Sequence, residues 1–455
     1  MTTGLRRDLG TLESYAALIG ILIGAGIFKV TSDAWALTGP SIILGYLVLA
    51  PAILATSTAY SVFLSTPLGR EPGGEYSHIS RTFGGYGLAF IGAWLKIISY
   101  IGALAYLASA LADYVVQFFG GGPALPIAIA SVLAFYGIHV AGVRWFGRIQ
   151  VWMCAVLGLS LLVLIVPGLF AIRPENYRPF FTHGFAGFAA SLPPLFFAYA
   201  GFEALAQTAG EVRDSTRRLP RIFVTGISVT MVIYLLMSAV ALGALPGRRL
   251  QASTAPMAEA AAEYLPIGAA ALVSLGAVMA LTTSLNGTML VPSRLGIMLA
   301  EDGLAPRWLG RVSPRTGTPI IGLTLTAAAA LVLLVSGQIS LALNIAVFAL
   351  VVLYFIHSLA LLLLPALNRE LFQSVTVTVP LWFQRAMAVL SMTAMAALIV
   401  LQLSDDVRSL RRYTFAQRIE QSSLTTLELV VAWAVAGAML YAVAAFGRAR
   451  RRKMH

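Results

Sequence analysis

Ile19-Gly20-Ile21-Leu22-Ile23-Gly24-Ala25-Gly26-Ile27-Phe28 is apolar enough to lie inside a membrane, yet it carries three glycines. A second stretch holds the same contradiction. Leu195-Phe196-Phe197-Ala198-Tyr199-Ala200-Gly201-Phe202-Glu203 sets a glycine and a carboxylate at one depth, with Pro193-Pro194 just before them. Glycine weakens a helix by about 1 kcal/mol relative to alanine, and proline removes a backbone donor. A carboxylate at the bilayer centre costs about 2.5–3.5 kcal/mol on insertion scales. Such features are tolerated where backbone lines a cavity. Taken alone, the glycines fit close helix packing of the small-xxx-small kind equally well. The pairing favours the cavity. The two stretches fall in the first and sixth apolar segments, equivalent places if segments 1–5 and 6–10 are two repeats. Matching interruptions in two halves point to a binding site near the bilayer midplane.

The rest of the chain supports a membrane setting. Of 455 residues, 58% are hydrophobic and only 11% charged, and the mean hydropathy is +0.83. A soluble chain carries roughly 25% charged residues, so a bilayer must take the apolar excess. A helix needs about 20 apolar residues to cross. The segments that qualify are 13–38, 42–65, 85–118, 124–141, 147–170, 186–210, 220–245, 265–299, 319–336, 339–364, 382–403 and 424–446. Arg6 and Arg7 before the first run imitate the start of a signal peptide, but the run continues past Gly26 and reads as a retained helix. The net charge of +12 is spread over short loops, which fits topology rather than nucleic acid. Lys and Arg in the loops sharing a side with the N-terminus, counted through Lys453, are more than double those opposite, which include Arg418. Both termini are therefore expected in the cytoplasm, in the cell (inner) membrane, with the basic tail read first as a topology anchor and second as a contact for lipid headgroups.

Several chemistries find no support. No P-loop motif is present, which disfavours ATP-driven transport. Cys154 is a lone cysteine in an apolar segment, and none of the five histidines, His455 among them, stands at metal-ligand spacing from cysteine or carboxylate. No enzymatic constellation and no cofactor are expected.

Four ordered stretches resemble the amino acid/polyamine/organocation (APC) superfamily. Gly24-Ala25-Gly26-Ile27-Phe28 is similar to its first-helix motif, and Phe197 to Glu203 to its sixth. Gly210-Glu211-Val212-Arg213 through Leu219-Pro220 resembles the loop that follows. Ser284-Leu285-Asn286-Gly287, with Ser293-Arg294 and Ala300 to Pro306, resembles helix 8 and its exit. The resemblance implies an all-α membrane protein of about twelve helices, with a 5+5 inverted-repeat core, broken helices 1 and 6, and two C-terminal helices. The expected organisation is a cytoplasmic N-terminus at 1–12, a first repeat at 13–170, a second at 186–364, helices 11–12 at 382–446 and a basic tail at 447–455.

It also implies a secondary transporter, symporter or exchanger, moving an amino acid by alternating access. A polyamine or organic-cation substrate and a membrane sensor that binds without transport are the alternatives. Unwinding at Gly24-Ala25-Gly26 would free N–H donors for a carboxylate, and unwinding near Ala200-Gly201 would free carbonyls for an ammonium. The substrate contacts implied are Ile23, Gly24, Ala25, Gly26 and Ile27 with Phe197, Ala198, Ala200, Gly201 and Phe202. Gly26→Val would then abolish uptake in a folded protein. Phe197 and Phe202 would lie beside substrate, or simply pack. Glu203 would couple helix 6 to its neighbours or sense protons, or hydrogen-bond the unwound backbone. Proton-coupled relatives place a lysine in helix 5; here Leu157 falls near its place, so the coupling ion, proton or sodium, stays open. Sodium would use the Thr283 and Ser284 hydroxyls with helix 1 carbonyls, and uncoupled exchange is an equal alternative. Lys96, about a third of the way into the third segment, snorkels to the interface or faces the path.

Overall fold

The computed structural model describes residues 4–28, 30–253, 256–337, 339–412 and 425–452. Arg418, Lys453 and His455 lie outside them, and of Ala25 only the backbone is described. Among the described residues ten helices are long and apolar enough to cross a bilayer, and two shorter ones, Ala124–Val140 and Ile320–Ser336, are also apolar.

In chain order, helix 1 runs Thr11–Leu22 and resumes as Ala25–Phe28 and Val30–Thr38. A turn at Gly39–Ser41 separates it from helix 2, Ile42–Leu64. Helix 3 (Gly87–Phe118), helix 4 (Ala124–Val140) and helix 5 (Val143–Gly168) complete the first half. Helix 6 runs Gly184–Tyr199 and resumes at Ala204–Gln207. Helix 7 (Ser215–Ala244), helix 8 (Ile267–Glu301), helix 9 (Ile320–Ser336) and helix 10 (Ile339–Leu367) follow. Helices 11 (Leu381–Arg412) and 12 (Thr426–Arg452) come last. Helix 7 starts before the expected residue 220, and Pro220 lies inside it.

These helices are apolar nearly all round, so their order from core to rim is read from burial. Of the span residues of helix 1, 71% are buried, and of helix 10, 72%; the figure for helix 12 is 11%. Helices 1, 3 and 10 are therefore the most deeply buried, and helix 12 lies at the rim. Its Val443 and Phe446, like Trp152 and Phe170 of the first half, are exposed, as lipid-facing side chains are.

One face of the bundle is closed. The Leu9 N–H donates to the Glu211 carbonyl at 3.0 Å, and the Arg213 N–H to the Leu9 carbonyl at 2.9 Å. Arg294, at the end of helix 8, donates to Glu211 through Nη2 at 2.9 Å, with both side chains buried. The Tyr76 hydroxyl, from the short helix Glu75–Phe83, donates to Asp302 at 2.7 Å. The N-terminal segment, the connection after helix 6, that after helix 2 and the exit of helix 8 thus seal the same side.

Candidate substrate site between two helix breaks

The first break falls at Ile23-Gly24, and helix resumes at Ala25. This corrects the expected Gly24–Gly26 unwinding by one to two residues. The reason is packing: an added Cβ at Gly26 would meet the Ala198 Cα at 2.2 Å. Gly26 therefore lets two backbones touch while remaining helical, and the chain opens just before it. The first backbone bond of the resumed segment runs from the Phe28 N–H to the Gly24 carbonyl at 3.4 Å. The N–H groups ahead of it lack a carbonyl one turn back.

The second break spans Ala200 to Glu203. Gly201 sits at φ +107°, a region that side-chain-bearing residues rarely adopt. Its N–H donates to Glu203 Oε2 at 2.9 Å. The Tyr100 hydroxyl donates to Glu203 Oε1 at 2.7 Å, and the Tyr354 hydroxyl donates to Oε2. Buried Glu203 thus caps the break and joins helix 6 to helices 3 and 10. The two breaks are also stapled to each other. The Tyr234 hydroxyl of helix 7 reaches the Ala198 carbonyl at 2.6 Å and the Leu22 carbonyl.

Between the breaks lies a hollow of about 30 Å³, room for water but not for a metabolite. Gly24, Gly26, Ala200 and Gly201 bring backbone to its wall. Phe197, Ala103, Leu107 and Leu350 give it an apolar side, and Ser284 and Thr288 a polar one. The Phe197 ring meets Tyr106 edge-on at 5.6 Å. Of the expected contacts, Gly24, Gly26, Phe197, Ala200 and Gly201 line the hollow; Ile23, Ile27 and Ala198 are buried beside it without lining it.

Two side chains depart from expectation. Phe202 does not face the hollow; it packs against Tyr60, Phe223 and Tyr354, because the turn at Gly201 rotates it away. Lys96 neither snorkels nor lines the hollow. It is buried, with Nζ donating to Glu75 at 2.8 and 2.7 Å. Thr283 and Ser284 spend their hydroxyl protons on helix 1: Thr283 on the Gly20 carbonyl at 2.7 Å, Ser284 on the Ile21 carbonyl at 2.8 Å. On helix 5, Gln150 bridges helices, donating to the Ala16 and Thr283 carbonyls, each at 3.2 Å.

Two features escaped the sequence. Glu75 opens a short helix after Pro72-Gly73-Gly74, between two apolar segments, where an acidic residue draws no notice. His78 and His357, 279 positions apart, approach to 2.9 Å between Nδ1 and Nε2. Neither carries a local signal; three-dimensional proximity alone reveals them.

Paired breaks, a hollow between them and a capping carboxylate describe a carrier. A model of the amino acid permease family matches residues 9–414. The chain belongs to the amino acid permease family. This permease is 26% identical to the branched-chain amino acid permease BcaP of Bacillus subtilis, over 70% of its length and 72% of the relative's. It is 27% identical to a methylthioribose transporter of the same organism, over 71% and 73%. It is 26% identical to the vacuolar cationic amino acid transporter 4 of Arabidopsis thaliana, over 70% and 56%. The permease is a membrane transporter, not an enzyme.

Proposed function

We propose that this permease carries a neutral, apolar amino acid across the cell membrane by alternating access, binding it in the hollow between the breaks of helices 1 and 6. The observation that carries the reading is the juxtaposition of two opposite helix ends at one small cavity. N–H groups at the start of the resumed helix 1 suit the substrate carboxylate, and the carbonyl end of helix 6 at Tyr199 suits its ammonium. An α-amino acid presents both charges on one carbon. Ala103, Leu107, Leu350 and Phe197 offer its side chain an apolar wall, which agrees with the branched-chain substrate named for one relative. A polyamine or organic cation would want acidic lining, and none of the lining side chains is acidic. The sealed N-terminal face describes a state closed on that side. Opening one face at a time would enlarge the site and admit substrate.

The organisation into repeats at 13–170 and 186–364, followed by helices at 382–446, and a cytoplasmic location of both termini belong to the same reading. The loop charges support that orientation.

A thermal-shift screen of the purified permease against the amino acids and common polyamines tests the substrate class. A ligand that binds only the folded state raises the melting temperature. Leucine-like ligands are expected to stabilise most; a shift with polyamines alone would overturn the reading. Counterflow of the same compounds in proteoliposomes distinguishes a carrier from a sensor, and uptake in choline medium should match uptake in sodium.

A further inference from the structure

Outside the hollow, a second buried centre surrounds Glu75. This residue opens the short helix Glu75–Phe83, and its carboxylate is approached from three other elements. Lys96 Nζ of helix 3 donates to Oε1 at 2.8 Å and to Oε2 at 2.7 Å. Gln207 Nε2, in the resumed part of helix 6, donates to Oε2 at 2.7 Å. The Tyr60 hydroxyl of helix 2 donates to Oε1. All four side chains are buried. Every neighbour is a donor, which suits an ionised carboxylate, an acceptor only.

One atom does not fit a permanently ionised Glu75. Gln207 Oε1 is buried and has no hydrogen-bond partner. Buried acceptors without partners are rare and costly. A half-turn of the amide would bring that oxygen to Glu75. An ionised carboxylate would repel it; a protonated one, with an O–H to donate, would take it. Gln207 is therefore matched to two states of Glu75, one through its NH₂ and one through its oxygen.

We propose that Glu75 is the proton-binding group of the transport cycle and that Gln207 converts its charge state into a movement of helix 6; this rests on the carrier reading above. A proton from water on one side forms the Glu75 O–H bond. The same bond breaks to release the proton to water on the other side. In the protonated state Lys96 loses its counter-charge inside the protein, which is unfavourable and drives rearrangement. The other carboxylate in reach is Glu203. The Tyr100 ring lies 5.4 Å from Lys96 Nζ, and its hydroxyl donates to Glu203, which caps the break at Gly201. The remaining titratable groups around the centre are Tyr60, Tyr354 of helix 10 and the His78–His357 pair. The His357 ring lies 4.3 Å from that of Tyr60. These histidines are the competing proton carriers.

The test uses the full-length permease in proteoliposomes, with a radiolabelled mixture of the twenty proteinogenic amino acids. Uptake is measured under an inward proton gradient and, separately, as gradient-free counterflow. The gradient is expected to stimulate wild-type uptake. Glu75→Gln, which mimics the protonated state, should keep counterflow and lose that stimulation. Gln207→Met should shift the pH profile of uptake, and His78→Gln should leave it in place. Gradient stimulation that survives in Glu75→Gln, or that disappears in His78→Gln instead, overturns the proposal. Should Glu75→Gln lack the wild-type melting transition, Gln207→Met decides, and an unchanged pH profile sinks the idea. Wild-type counterflow without any response to the gradient removes this inference and leaves the carrier reading standing; absence of counterflow in the wild type removes both.

Discussion

Thr288 presents a hydroxyl at the wall of the hollow and makes no hydrogen bond to the described residues. A polar group left open at a binding site is a contact waiting for substrate. Thr288→Val keeps the shape and removes the bond, worth about 0.5–1.5 kcal/mol. The half-saturating substrate concentration should rise by about two- to tenfold, read from counterflow, with the melting temperature unchanged. Gly201 poses a purely conformational demand. At φ +107°, and with the Ile21 Cγ2 only 2.7 Å from a built Cβ, Gly201→Ala should cost about 1–3 kcal/mol. A lowered melting temperature would show it. Gly26→Val is now expected to fail as a clean probe of the site: its side chain would enter the Ala198 backbone, so folding and uptake should be lost together.

The sequence located both broken elements because each puts helix-weakening residues into a span that otherwise has no reason for them. It did not locate the first break to the residue. Glycine marks both an opening and a close approach, and only the contact with Ala198 showed that Gly26 serves the second use. The breaks are also held by a residue with no motif of its own. Tyr234 sits in an ordinary stretch of helix 7, yet its hydroxyl meets carbonyls from both broken helices. Tyr234→Phe would leave the buried Ala198 carbonyl unpaired at a cost of about 1–3 kcal/mol. Counterflow is expected to fall while helical content by circular dichroism stays the same; undiminished counterflow would show that the breaks hold themselves.

At the scale of the whole permease, the closed face depends on Arg294 and Glu211. Both are buried, and Glu211 Oε1 lies 2.9 Å from the Arg294 Nη2. Removing one partner of such a pair leaves an uncompensated buried charge and costs about 3–5 kcal/mol. Arg294→Met should therefore lower the melting temperature and open the N-terminal face. A cysteine in place of Thr208, buried behind this seal, should react faster with a membrane-impermeant thiol reagent in the Arg294→Met background. Equal rates would mean that the pair does not gate.

By itself the sequence determined the membrane class, most helix boundaries to within a few residues and the two spans that break; helices 11 and 12 run on past the expected 403 and 446. These depend on composition and local helix propensity, which are properties of short segments. Only the tertiary structure decided which side chains share a cavity. Phe202 left the site because one glycine turn rotated it away. Glu75 and Lys96 found each other from different helices, and so did His78 and His357. A buried charge is tolerated only beside a partner, and the identity of that partner depends on how distant segments pack, which no local pattern records.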